Sequence, residues 1–235
     1  MNGWVLKGKD LSRWYEGDGV TVRALDQVSF EILPGEFIVV LGPSGSGKST
    51  MLNLMGGMDR PSEGELYYRE QKISDFTSEQ LSDYRKDAVG FVFQFFHLIP
   101  TLTAKENVEL AASITKGARS AGEVLELVGL SDRMKHFPSQ MSGGEQQRVS
   151  IARAIVKNPE ILLCDEPTGA LDSRNSIAVV KLLLEVRERL GCPVVTITHN
   201  AEMARVANRV FHMKDGKIVR VETNRCPVAA EELQW

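Results

Sequence analysis

The chain has 235 residues, of which 43% are hydrophobic and 25% charged, an ordinary globular balance that suits one domain, or one domain with a sizeable insertion, around a substantial core. With 28 basic against 31 acidic side chains the net charge is −3, which argues against a nucleic-acid backbone binder and its clustered positive excess. The cysteines Cys164, Cys192 and Cys226 lack metal-type spacing and read as thiols of a reducing compartment. The first ten residues lack the apolar core of a signal peptide, and no run approaches the ~20 apolar residues of a membrane span, so any membrane role runs through a partner.

Along the chain, Val20, Val22 and Ala24, then Val28, Phe30 and Ile32, alternate with polar residues and predict half-buried strands. Phe37 to Leu41 is continuously apolar, as in a strand covered on both faces. It leads directly into Gly42-Pro43-Ser44-Gly45-Ser46-Gly47-Lys48-Ser49, followed by Thr50, which fits the phosphate-binding P-loop in full. The glycines let the backbone curl so that N–H groups point at phosphate oxygens, and a helix starting near Gly47 adds its positive end. Lys48 then reaches the β- and γ-phosphates and the Ser49 hydroxyl ligates Mg²⁺. A nucleoside triphosphate is the expected ligand.

The segments "GELYY" and "AVGFVFQFF" predict further strands. From Thr103 to about Lys157 the pattern turns helical, opening on a capping box of Thr103 and Glu106. "EILLCDEP" is a buried strand closed by Pro167, and it leaves Asp165 and Glu166 adjacent at its carboxyl end. There both acids can face a ligand in the crevice. Asp165 suits a Mg²⁺ shell, and Glu166 is free to orient or deprotonate a water; the bland alternative is a solvated acidic turn. An amphipathic helix follows from Ser173, then the strand "CPVVTIT" and a hairpin with Asp215-Gly216 at its turn. The last stretch is weakly patterned and predicts a loosely held tail. Together these predict an α/β fold: a parallel-sheet core with a β-rich N-terminal flank and a helical insertion.

The ordered motifs resemble the ATP-binding-cassette (ABC) ATPases over almost the whole chain. Gly42 to Thr50 is similar to their Walker A motif, Ile161 to Glu166 to Walker B with the adjoining catalytic glutamate, and Gln94 to the Q-loop glutamine. Met141 to Glu145, "MSGGE", resembles the signature motif, Gly169 to Asp172 the D-loop, and His199 the switch histidine. Tyr15 stands where the family stacks an aromatic ring on adenine, with neighbouring Trp14 as a competitor. Two glycines at a helix start are explained if Ser142 caps the helix, Glu145 turns back onto Ser142 N–H, and Gly143 and Gly144 leave the helix end open to a phosphate. His97, His136 and His212 read as structural.

The resemblance implies a P-loop NTPase core with a mainly parallel sheet and an antiparallel β-subdomain (about 1–94 and 158–222), a helical subdomain (about 95–157) and a tail (223–235). It implies ATP and Mg²⁺ as cofactors, with Ser49, Gln94 and Asp165 toward the metal and Glu166, His199 and Gln94 toward the chemistry. It also implies a head-to-tail homodimer in which Ser142, Gly143, Gly144 and Glu145 close over the partner's nucleotide. The segments around Tyr84 and Gln94 look most like the lipoprotein-release and macrolide-exporter group. Separate permease chains are then expected as partners, placing the chain on the cytoplasmic face of a membrane, with Phe95, Phe96, Leu98 and Ile99 as a docking loop. A force-transmitting ATPase of the cell-division type is the alternative. A nucleotide sensor without turnover fits less well with Glu166, Gln94 and His199 all present.

Overall fold

A computed structural model describes residues 3–17 and 19–234. The elements run β1 (Leu6–Gly17), β2 (Val20–Ile32), β3 (Phe37–Leu41), α1 (Lys48–Met55), β4 (Glu63–Tyr68), β5 (Gln71–Lys72), α2 (Ser78–Asp87) and β6 (Val89–Val92). They continue with α3 (Ala104–Ser113), α4 (Ala121–Leu127), α5 (Gly143–Ile155), β7 (Ile161–Asp165), α6 (Ser173–Leu190), β8 (Val194–Thr198), β9 (Arg209–Lys214) and β10 (Lys217–Thr223).

Two sheets organise the chain. One is antiparallel in the order β2-β1-β4-β5, and the other runs β10-β9-β3-β8-β7-β6. In the second sheet β9, β3, β8, β7 and β6 are parallel, and β10 returns antiparallel at the edge. The apolar run of β3 is buried at every position because its faces serve two cores. Phe37, Val39 and Leu41 join the core under the helices, while Ile38 and Val40 join the core between the sheets. β7 divides in the same way, Leu162 and Cys164 to one side, Ile161 and Leu163 to the other.

The β-rich flank departs from the expected alternation. Val20 and Val22 are 64% and 58% exposed, because β1 pairs with β4 only as far as Ser12 and the β1–β2 ribbon runs on without a third strand. Burial begins at Leu25 and shifts face by Val28, across a bulge where Gln27 adopts a left-handed φ of 51°. The helix α2 lies outside the predicted elements, although Thr77 and Gln80 form a capping box at its start. The strand expected through Phe96 stops at Val92. The tail is not loose: Ala230 and Leu233 are buried in the helical core, Arg205 donates to Glu232 O at 3.0 Å, and Lys181 pairs with Glu231 at 2.6 Å. No described helix is long and apolar enough to cross a membrane.

Candidate functional site

The phosphate loop joins β3 to α1 at the carboxyl edge of the parallel sheet. Its glycines answer to close backbone neighbours. A Cβ on Gly42 would stand 2.4 Å from Met213 O, and one on Gly47, whose φ is +96°, would stand 2.3 Å from Ala24 O. The β9–β10 turn clamps the loop from outside, since Gly216 N donates to Ser46 O at 3.1 Å and Asp26 N donates to Gly216 O at 2.9 Å. Gly47 is the N-cap of α1 and offers no side-chain cap, so the first-turn N–H groups, which no helix can satisfy internally, are left for an anion. Lys48 is buried, and its Nζ donates to Gly42 O at 2.7 Å and Pro43 O at 2.8 Å. Ser49 is exposed at the same edge.

Two strands away, β7 ends in Asp165 and Glu166. The chain turns at Glu166 itself, which takes a left-handed φ of 45° immediately before Pro167, where extended backbone is the rule. This turn, rather than a ladder stopped by Pro167, separates the acids. Glu166 N donates to Ile197 O at 3.0 Å. Its Oε2 accepts from the Thr198 hydroxyl at 3.0 Å, and its Oε1 lies 3.0 Å from His199 Nδ1. Asp165 is half-buried; burial first, then the neighbouring charge of Glu166, pushes its carboxyl above the ordinary range, while Lys48 pulls the other way.

That donor set fits Mg²⁺: an exposed hydroxyl beside a phosphate cradle, and a carboxylate whose crowded negative charge a cation would relieve. Mg²⁺ characteristically takes one or two carboxylates plus substrate phosphates rather than a protein cage, and among the described residues no cluster of three or more His, Cys, Asp or Glu side chains forms such a cage.

Gln94 lies two residues past β6 and packs on Gly169; a Cβ there would stand 2.9 Å from its Nε2. Beyond it the loop rises to an exposed tip. Phe95 is 69% and Ile99 38% exposed, whereas Phe96 is half-buried and Leu98 packs against the helical core. Consecutive left-handed residues, Phe96 at φ 50° and His97 at φ 49°, shape this tip. Arg153 of α5 holds it by donating to Phe96 O at 2.7 Å and His97 O at 2.5 Å.

Ser142, the N-cap of α5, accepts from Glu145 N at 3.3 Å, and Glu145 Oε2 accepts from Ser142 N at 2.8 Å. Glu145 Oε1 also accepts from Arg133 Nε at 2.8 Å. The Ser142 N–H and then Arg133 bring its carboxyl down to about 2. Gly143 and Gly144 lie against the segment that starts α6: a Cβ on Gly143 would approach Leu171 at 3.4 Å, and one on Gly144 would stand 2.3 Å from Asn175 Oδ1. Asn175 is itself held by two hydrogen bonds to Asp172, both 2.8 Å.

Two residues outside the predicted set tie these pieces together. Gln147 is fully buried, and its Nε2 donates to Pro167 O at 2.7 Å and Phe93 O at 3.4 Å, linking α5 to both the acidic turn and the Gln94 loop. Arg153 is the other. A polar residue on the buried face of an otherwise amphipathic helix was the available signal for Gln147. Tyr15, on β1, is exposed, and its hydroxyl donates to Asp59; Trp14 lines a small cavity with Arg23 and Glu63.

Glu145→Gln keeps one oxygen to accept from Ser142 N, and gives up the charge and the bond from Arg133, which an amide NH2 cannot accept. Phosphate release from the variant is expected within severalfold of the parent; a large gain would show that Glu145 repels the nucleotide. The depressed carboxyl contributes stability that is present above about pH 4.5 and lost as pH falls toward about 2. Thermal melts of the variant should therefore fall less steeply than those of the parent over that interval.

The profile of the ABC transporter family matches residues 25–169. The chain is 44% identical to an uncharacterized ABC transporter ATP-binding protein, MJ0796, of Methanocaldococcus jannaschii, over 94% of this chain and 98% of that one. A dimeric structure of MJ0796 in a post-hydrolysis state bound to ADP and Pi superposes with a TM-score of 0.85, covering 94% of this chain and 99% of that one at 43% identity. The lipoprotein-releasing system ATP-binding protein LolD of Idiomarina loihiensis is 40% identical over 92% of this chain and 97% of its own. The macrolide export protein MacB of Wolinella succinogenes is 46% identical over 91% of this chain, which spans only 34% of that longer chain.

Proposed function

We infer that this chain, which belongs to the ABC transporter family, is the ATP-hydrolysing subunit of a complex whose membrane-spanning part is made by other chains. The observation that carries the reading is the meeting, at one edge of the parallel sheet, of a phosphate cradle, a carboxylate turned out by a strained residue and a histidine 3.0 Å from it.

The roles follow from position. Gly42, Pro43, Ser44, Gly45, Ser46, Gly47 and Thr50 shape the cradle, and Lys48 leaves the loop carbonyls for the β- and γ-phosphates. Ser49, Asp165 and Gln94 would hold Mg²⁺, which when bound neutralises charge on the phosphates. Glu166 orients and deprotonates the attacking water, with Thr198 and His199 fixing its carboxylate, and His199 also donates toward the γ-phosphate. Tyr15 stacks on the base. Gly143 and Gly144 pack on the 169–175 segment, with Ser142 before them as the N-cap. They present an open helix start to a second copy's nucleotide, with Glu145 turned back as the cap. ATP then closes two chains head to tail, and hydrolysis reopens them.

Phe95 and Ile99, flanked by half-buried Phe96, form the surface that meets the permease on the cytoplasmic side of the membrane, while Leu98, expected in the same loop, turns onto the helical core. Lipoprotein release and macrolide export, named for the relatives, are the transport classes to test first. The force-transmitting alternative shares all this chemistry and has no observation in its favour.

Phosphate release from ATP is expected to depend on Mg²⁺, to vanish with EDTA, and to rise cooperatively with protein concentration as chains pair. Absence of release above background would sink the reading. Capture of the tagged chain from solubilised membranes should bring down a polytopic partner, and replacing Phe95 and Ile99 by Ser should abolish that capture while leaving basal ATPase in place.

A further inference from the structure

We propose that Arg13 and Asp59 are a positioning pair that holds the Tyr15 ring ready for the nucleotide base, so that affinity for the base, and not the phosphate chemistry, depends on them. The proposal rests on the reading of Tyr15 as the base-stacking residue.

Arg13 and Tyr15 are two residues apart on β1, where its pairing with β2 is irregular. Asp59 lies just beyond α1, the helix whose other end starts at the phosphate loop. One oxygen gathers all three side chains: Asp59 Oδ2 accepts from the Tyr15 hydroxyl at 2.8 Å and from Arg13 Nε at 2.8 Å. The guanidinium carbon of Arg13 stands 4.5 Å from the centroid of the Tyr15 ring, within the range of a cation–π contact. Arg13 is anchored in turn, with Nη1 donating to Ser62 Oγ at 3.4 Å. The Arg13 and Asp59 side chains are only 25% and 23% exposed, whereas Tyr15 is 40% exposed.

A tyrosine this exposed on a strand would ordinarily sample several rotamers. Here its tip is tied to Asp59 and one ring face is covered by Arg13, which leaves the opposite face for a planar ligand. The tether runs through the segment that follows α1, so the base platform and the phosphate cradle are fixed to the two ends of one helix. Their separation is set before nucleotide arrives. Ordering a free aromatic side chain on binding would cost about two- to tenfold in affinity, the cost this pair removes in advance.

The test uses the full chain and three single variants, Asp59→Ala, Arg13→Met and Tyr15→Phe, with the Asp59→Ala/Tyr15→Phe double. Tyr15→Phe removes one exposed hydroxyl and keeps the ring, so it remains informative if Asp59→Ala folds poorly. KM for ATP, kcat, and the affinity for Mg-tripolyphosphate, which has no base, are measured for each. The expected result is a two- to tenfold rise in KM for each single variant, kcat within twofold, and unchanged tripolyphosphate affinity. The double variant should be no worse than its worse parent, because both changes cut the same tether. An unchanged KM, an equal loss of tripolyphosphate affinity, or fully additive effects would overturn the proposal. Tyr15→Ala separates the two layers. If it leaves KM unchanged, the base-stacking reading fails and takes this pair with it; if it raises KM while Asp59→Ala does not, only the pair's role fails.

Discussion

Replacing Glu166 with Gln is expected to lower ATP turnover by about 10²–10⁴-fold, the range general-base catalysis supplies, while ATP still binds. The side chain is held where it stands at some cost. Glu166 occupies the left-handed region at φ 45°, against the preference of a residue before proline, and such strain persists only where the surroundings over-determine it. Here the surroundings are Ile197 O on its amide, the Thr198 hydroxyl on one carboxylate oxygen and His199 Nδ1 beside the other. Gln matches the shape, so the turn and the phosphate loop should survive, but an amide cannot take up a proton. With binding intact and hydrolysis removed, the variant should accumulate as an ATP-bound pair of chains. Stopped-time phosphate release, a fluorescent-ATP titration and size exclusion with ATP measure the three consequences. Retained turnover would remove Glu166 from its role and leave the base to be sought among water and Asp165.

The same local conflict explains what the sequence reveals and what it hides. Five consecutive buried apolar residues in β3, and four in β7, name central strands because each alternating face has its own core. The Thr103–Glu106 box is legible because its hydrogen bonds close within three residues. Thr77 and Gln80 give α2 the same kind of signal, and the charged sequence that follows masks it. What depends on distant partners is not legible. Val20 and Val22 alternate like buried residues, yet no strand covers them beyond Ser12. The tail has little pattern, yet α6 and Arg205 hold it. In the candidate site the motif residues stand out by type and order, and the structure brings Glu166 to His199 and Gln94 to Gly169. The bonds of Gln147 to Pro167 and Phe93, and of Arg153 to the Phe96–His97 tip, span about twenty to fifty-seven residues, and no periodicity reports contacts of that span.

Lys48→Ala should act on binding itself, which sets it apart from Glu166→Gln. Lys48 is 8% exposed and its ammonium spends its protons on Gly42 O and Pro43 O, so the loop is already curled around a positive charge before nucleotide enters. Phosphates must draw Nζ from these carbonyls, exchanging neutral acceptors for charged ones. Hydrogen bonds to charged groups contribute about 1.5–3 kcal/mol each, so losing this side chain weakens ATP by roughly 10- to 150-fold. A second effect adds to the first. Asp165 and Glu166 stand across the cleft, and Lys48 is the cation that offsets Asp165; without it the triphosphate enters a field of like charge. Lys48→Arg divides the two contributions, since it restores the charge but brings a planar, longer fork that does not fit between two loop carbonyls. Fluorescent-ATP titration should therefore rank the parent above Lys48→Arg and Lys48→Arg above Lys48→Ala. Equal affinity for the parent and Lys48→Ala would mean that the lysine merely braces the loop and that the amides of α1 hold the phosphates alone.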